Sequence, residues 1–258
     1  MEVAFIVAGF AVGLIVGLTG IGGGSLMTPI LLWFGVPPAT AVGSDLLYAA
    51  ITKGGGVLVH QRAGNVDWRI VRWLAGGSVP ATVLTLIALH IWRPDLETLN
   101  NLIKHALGIA LLLTALAILL KTKLLQWTRG VNAPPPPKHS PSRDINTLAT
   151  GALLGVLVTL TSIGAGAVGT VALFLLYPLI PTARLVGTEI AHAVPLTLVA
   201  GLGHAGMGHI DWGMLGLLLC GSLPGIWIGS HMAGKVPDGI LRPILAIMLA
   251  VVGTKLVW

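Results

Sequence analysis

The strongest constraint on this chain is that it is written twice. "GLTGIGGGSL", from Gly17, aligns with "TLTSIGAGAV", from Thr159, at an offset of 142 residues. Further on, "VPPATAVGSDLLYAA" (Val36 to Ala50) aligns with "IPTARLVGTEIAHAV" (Ile180 to Val194) at an offset of 144, which also carries His60 onto His204 and Gly64 onto Gly208. The same offset carries Asp67-Trp68 onto Asp211-Trp212 and "GSVP" at Gly77 onto "GSLP" at Gly221. Self-similarity of this kind marks an internal duplication. Each copy holds five apolar runs, at about 3–18, 25–36, 40–59, 69–91 and 102–120, then 146–161, 167–180, 184–206, 212–232 and 241–257. Five is odd, so if the runs cross a bilayer the second copy starts from the opposite side and the copies are inverted.

Composition places those runs in lipid. The 258 residues are 55% hydrophobic and only 9% charged, against roughly a quarter charged in a soluble domain. The expected fold class is all-α: a polytopic helical membrane protein of two inverted repeats, with short or broken helices at the Gly-rich turns. The pattern lacks the polar–apolar alternation of transmembrane barrel strands. Three regions are expected: a first membrane repeat at 1–120, a Pro-rich linker at 121–145 and a second repeat at 146–258. The four consecutive prolines from Pro134 to Pro137 have no amide donors and favour extended polyproline II. The N-terminus lacks the basic start of a signal peptide and is read as part of the mature protein.

The net charge of +6 lies between the apolar runs rather than on a nucleic-acid-binding face. Lys121, Lys123, Arg129, Lys138 and Arg143 gather in the linker segment, and Arg62, Arg69 and Arg72 flank the third-to-fourth connection. The image of that connection, Ala205 to Gly216, holds no Lys or Arg. By the positive-inside rule the linker and the Arg62 loop are cytoplasmic and both termini face the other side.

The two glycine turns are the first candidates for chemistry. Successive backbone amides at the start of a helix make a concavity suited to an oxyanion. The candidates are Thr19, Gly22, Gly23, Gly24 and Ser25 in the first turn, and Thr161, Ser162, Gly164 and Gly166 in the second. The alternative is that the glycines only permit tight turns and close helix packing. No Lys-Ser/Thr follows them, so the string is not a P-loop. The second helical segment of each copy is too short to span hydrocarbon, and short segments at corresponding places of two repeats point to a substrate site.

Ionisable residues inside the apolar runs are the second group: Asp45, Lys53, Glu189 and His192. A charge there costs a few kcal/mol and marks function by default. Asp45 and Glu189 are images of each other, as are Tyr48 and His192. The two acids read either as coupling or gating groups or as first-turn residues at the membrane surface. Lys53 reads as an anion ligand, as a partner for Asp45, or as a side chain reaching the interface. Gly54 to Gly56 after Lys53, and Pro195 in the second copy, predict that both copies of this helix are broken near the same depth. Asp67 and Asp211 suit helix N-caps, Trp68 and Trp212 an interfacial belt, and His60 and His204 an architectural role. The scattered histidines give no metal site, nothing calls for a cofactor, and no nucleophile–base pair suggests an enzyme.

"GLTGIGGGSLMTPIL" and "SIGAGAVGTVAL", each followed by "VPPATAVGSDL" or "IPTARLVGTEI", resemble the TauE/SafE family of sulfite exporters and related organoanion transporters, over essentially the whole chain. The resemblance implies a bacterial inner-membrane permease that exports sulfite or small sulfur-containing or organic anions. Its partners would be a small anion, the lipid bilayer and a coupling proton or Na+. A passive anion channel and a non-transporting membrane scaffold are the alternatives. The topology is checked by cysteine labelling: a cysteine at Ser140 should react with an impermeant reagent only from the cytoplasmic side, and one at Gly208 only from outside. The reverse pattern at either position would refute the inverted arrangement.

Overall fold

The structure, a computed structural model, describes residues 2–19, 24–92, 95–130, 141–232 and 238–257. Ten helices account for nearly all of them. The first half contributes α1 (Glu2–Thr19), α2 (Gly24–Trp33), α3 (Pro38–Arg62), α4 (Trp68–Trp92) and α5 (Leu96–Gly130). The second contributes α6 (Pro141–Thr161), α7 (Ala167–Leu176), α8 (Thr182–Gly206), α9 (Trp212–Met232) and α10 (Asp238–Val257). Each expected apolar run is a helix. Of these, α4, α5, α6, α8 and α9 are long and apolar enough to cross a membrane. α2 and α7 have 10 residues each, about 15 Å at 1.5 Å per residue, and reach only half-way through the hydrocarbon.

Apolar and polar residues are distributed inside out. Leu58, Val59, Ile91, Leu153, Leu202 and Trp227 are exposed on the outer surface, whereas Thr28, Ser44, Asp45, Lys53, Glu189 and His192 are buried. Such an exterior is stable in lipid, and such an interior must satisfy its polar groups from within the protein.

The repeats interlock by exchanging helices. α1 packs on α9 and, at the image place, α6 packs on α4; α3 pairs with α8 and α5 with α10 at the boundary between repeats. Gly9 of α1 lies against the backbone of Leu218 and Gly13 against Ser222; their images Gly151 and Gly155 lie against Leu74 and Ser78. Gly221 rests on Ile6 and its image Gly77 on Leu148. In each of these pairs residue i of one repeat meets j of the other and the image of i meets the image of j, which is the signature of a two-fold relation. Small residues four apart permit this backbone-to-backbone approach, the usual means of helix association in lipid.

The contacts also fix direction. Gly43 at the start of α3 abuts the His209 carbonyl beyond the end of α8, and Gly187 at the start of α8 abuts that of Asn65 beyond α3. α3 and α8 are therefore antiparallel. α1 runs parallel to α9 and α9 parallel to α3, where Asp211 N donates to Ser44 Oγ and Ser222 neighbours Tyr48. α6 is likewise parallel to α4, and α4 to α8 through Ser78–His192 and Leu86–Gly203. α1 thus opposes α6, and the repeats are inverted.

One expectation needs correction. α3 runs unbroken through Gly54–Gly56 and α8 through Pro195, because lipid offers no water to compete for the peptide groups that Gly and Pro weaken. Within the segment read as a linker, 121–145, α5 continues to Gly130 and α6 begins at Pro141, an N-terminal position that proline favours. The caps are as read: Asp67 Oδ1 accepts from Arg69 N and Ile70 N, and Asp211 Oδ1 from Met214 N. Trp68 and Trp212 are exposed beside them.

One end of the molecule carries inter-repeat ion pairs, Arg69–Asp144 at 2.8 Å and Arg184–Asp67 at 3.1 Å. Their images, Gly213 with Glu2 and Thr40 with Asp211, cannot pair. Charge is therefore concentrated at the end bearing Arg62 and Arg72.

The interlock predicts which glycines are indispensable. Gly9→Ala or Gly151→Ala, where a methyl meets backbone, should each destabilise by about 1–3 kcal/mol. Gly55→Ala, with nothing within 4 Å of the added carbon, should be neutral or stabilise by roughly 0.5–1 kcal/mol. Thermal unfolding in detergent separates them, and equal costs at the three positions would contradict the interlock.

Candidate functional site

The second glycine turn joins α6 to α7 and is buried throughout. Ser162 has φ +58 and Gly164 φ +124; the latter region suits glycine. Ser162 N donates to the Val158 carbonyl, and Gly166 N and Gly169 N both donate to the Gly164 carbonyl. Ile163 N donates to Thr161 Oγ1. Thr161 and the Ile163 and Gly166 amides thus shape the turn. Ser162 is different, since its Oγ is buried with no hydrogen-bond partner.

The turn also presents a carbonyl. Lys53 Nζ, on α3 of the other repeat, donates to the Ala165 oxygen. Lys53 is only 5% exposed, so it does not reach the interface. It has no carboxylate within ion-pair range either: the ion pairs among the described residues are the two at the charged end. Lys53 thus makes no direct ion pair with Asp45, although Asp45 and Glu189 lie within its electrostatic reach. A buried ammonium with one carbonyl partner retains two N–H donors.

Asp45 and Glu189 are buried in the core. Thr28 Oγ1 of α2 donates to Asp45 Oδ2 at 2.5 Å, while Oδ1 has no partner. Ser162 lies beside the same carboxyl. Glu189 packs on Gly169, where an added Cβ would sit 3.2 Å from Oε1, and that oxygen has no partner. His192 Nε2 bonds Ser78 Oγ of α4 at 2.8 Å, leaving Nδ1 without one. His192 is three residues from Glu189, yet its hydrogen bond goes to α4. Tyr48, its image, has an unpartnered hydroxyl near Ser222. Lys53 lies within electrostatic reach of Asp45, Glu189 and His192.

The structure therefore gathers Lys53, Asp45, Ser162, Glu189 and His192 into one buried cluster where the repeats meet. Of the first turn, Thr19 ends α1, and Gly24 and Ser25 open α2. Gly22 and Gly23 lie outside the described residues, as do the side chains of Thr19 and Ser25. Sequence reading missed Thr28, Ser78, Gly169 and the Ala165 carbonyl, and it treated Tyr48 only as an image of His192. A signal existed for the hydroxyls: Thr28 and Thr170 align at the 142 offset, and Ser78 and Ser222 at 144.

Unpartnered buried polar atoms are uncommon, and each calls for a ligand, a water or a function. Five lie in or beside one cluster here. The arrangement offers donors (Lys53, Ser162, Tyr48) and two carboxyls in a buried interior. It can bind a small charged solute and exchange protons with it.

Comparison with known proteins agrees with this architecture. The family described as Sulfite exporter TauE/SafE matches residues 5–256. The probable membrane transporter protein YjnA of Bacillus subtilis is 37% identical over 257 residues, covering 100% of both chains. The probable membrane transporter protein YdhB of the same organism is 26% identical over 250 residues, covering 96% of this chain and 97% of the relative. A probable membrane transporter protein of Haemophilus influenzae is 27% identical over 281 residues, covering 97% and 96%. No solved structure matches the chain. With the family matched from near its first residue to near its last, on a fold of inverted membrane repeats, the chain belongs to the TauE/SafE sulfite exporter family of integral membrane transporters.

Proposed function

We propose that the protein is a secondary transporter, working as an exporter, for a small anion such as sulfite or an organosulfur or organic anion. It operates by alternating access of the two repeats around the Lys53 cluster. The observation that carries this reading is the Lys53 ammonium: buried, shared between repeats, and without a carboxylate in contact. An ammonium in such a place costs several kcal/mol, which an anionic ligand offsets.

In this reading Lys53 and Ser162 contact the anion, and the two glycine turns supply the floor through Thr19, Gly22, Gly23, Gly24, Ser25, Thr161, Gly164 and Gly166. Their position at the N-termini of the half-helices α2 and α7 turns the positive dipole ends toward the anion. Asp45, Glu189 and His192 couple the cycle to a proton or Na+. The protein sits in the bacterial inner membrane with the charged end and the linker cytoplasmic, which the arginines Arg62, Arg69 and Arg72 support. The three regions are two membrane repeats and a cytoplasmic connection.

Lys53→Met tests the anion site. Sulfite binding to the purified protein should weaken about 10- to 100-fold, a hydrogen bond to a charged group being worth roughly 1.5–3 kcal/mol. Adding Asp45→Asn should restore neither affinity nor flux in proteoliposomes. Recovered affinity in the double variant would show that Lys53 serves only to balance Asp45. Gly164→Val is a poor test of anion contact, since its φ of +124 makes any side chain strained.

A further inference from the structure

We infer that the cluster binds its anion together with a proton, one proton for each monovalent anion, held by the Asp45–Glu189 pair. The inference rests on the anion-site reading above and adds the identity of the coupling ion and its stoichiometry. It starts from a count of charges. The cluster holds one ammonium, Lys53, and two carboxyls, Asp45 and Glu189, all buried between the repeats. The other groups facing them do not balance the excess acid: α2 brings Thr28, α4 Ser78 and the α6–α7 turn Ser162, none of which titrates, and α3 adds Tyr48. His192, on the same helix as Glu189, is held through Nε2 by Ser78.

A net charge in such an interior is costly, so the stable states of the cluster are the neutral ones. When the site is empty, Lys53 is balanced by one carboxylate and the other carboxyl carries a proton. When a monovalent anion occupies the site, the anion balances Lys53 and both carboxyls carry protons. Filling the site therefore forms one new O–H bond on a carboxyl oxygen, with the proton drawn from the compartment that supplies the anion. Nothing is oxidised or reduced. A divalent anion would bring two positive charges by the same count, and only one carboxylate is available to take them up, so monovalent anions are the preferred class.

The geometry supplies places for the protons. Asp45 Oδ1 and Glu189 Oε1 are both buried and both lack a hydrogen-bond partner, so each is an oxygen on which a proton displaces no existing bond. Asp45 Oδ2 already accepts the Thr28 hydroxyl. The two carboxyls lie on image positions of α3 and α8 and face a common Lys53, and that shared charge links the protonation of one to that of the other.

The test measures protons and anions together. Purified protein in weakly buffered choline medium is titrated with methanesulfonate, which stays monovalent, and with sulfite, while a pH indicator follows proton uptake and calorimetry follows binding. The wild type should take up one proton per methanesulfonate, and affinity should fall about tenfold per pH unit where the pair loses its second proton. Glu189→Gln and Asp45→Asn should each still take up one proton, because the remaining carboxyl balances Lys53 when the site is empty and is protonated when it is full. In the double variant Lys53 is the group left to take the proton, so the infrared band of a protonated carboxyl, which should grow on filling the site in the wild type and in each single variant, should be absent. Binding by the wild type without proton uptake, or uptake with no growth of the protonated-carboxyl band, overturns the inference and leaves the anion site standing. Failure of both probes to bind overturns the anion site itself. The wild type in proteoliposomes gives a check that needs no variant: methanesulfonate flux should follow the pH gradient and ignore the membrane potential, and a requirement for Na+ would overturn the inference.

Discussion

Lys53 donates across the repeat boundary to the Ala165 carbonyl, and the centre of the molecule is organised around that contact. Lipid cannot solvate an ammonium, and burial among apolar helices removes water as a partner. The charge can be held only where another element supplies an acceptor. The buried turn between α6 and α7 does so because it is not helical there: a carbonyl that would otherwise bond within a helix is free to face α3. Gly164, Thr161 and the self-bonded amides of the turn keep that irregular backbone satisfied at a depth where unpaired peptide groups are costly.

The contact also breaks the symmetry of the scaffold. Under the duplication Lys53 maps onto Thr197, whose hydroxyl bonds the Ala193 carbonyl of its own helix, and Ala165 maps onto Gly23. One repeat supplies the cation and the other the buried carbonyl that receives it. The carboxyls, by contrast, are duplicated as Asp45 and Glu189. A two-fold scaffold with a single cation and two acids is short of positive charge, and the imbalance follows from one substitution between the copies. The architecture around it stays paired: Gly43 and Gly187 seat against the loops beyond the opposite helices, and Ser44 and Thr188 accept the amides of Asp211 and Asp67.

The membrane class, the helix positions and the inversion were legible because each rests on a repeated pattern: apolar runs, an odd count, and arginines on one connection without counterparts on its image. The placement of Asp45, Lys53, Glu189 and His192 inside apolar runs was legible for the same reason. Their partners were not. Thr28 and Ser78 are ordinary helical hydroxyls in sequence, which usually bond their own helix as Thr85 and Thr150 do. Only packing turns them toward Asp45 and His192. The expected break at Gly54–Gly56 and Pro195 is absent because a helix without competing water keeps its internal hydrogen bonds against local propensity, and α3 and α8 run through unbroken.

By itself the sequence determined that this chain lives in lipid, that it consists of two inverted copies, and that a few charges are buried at matched positions, since periodicity and composition act locally and survive without coordinates. Tertiary structure alone decided which of those charges meet. Lys53 is 112 residues from Ala165, and Ser78 is 114 from His192, separations over which no periodicity carries information. The interlock of α1 with α9 and α4 with α6 brings them together, because small residues let those backbones touch and seat α3 and α8 antiparallel between them.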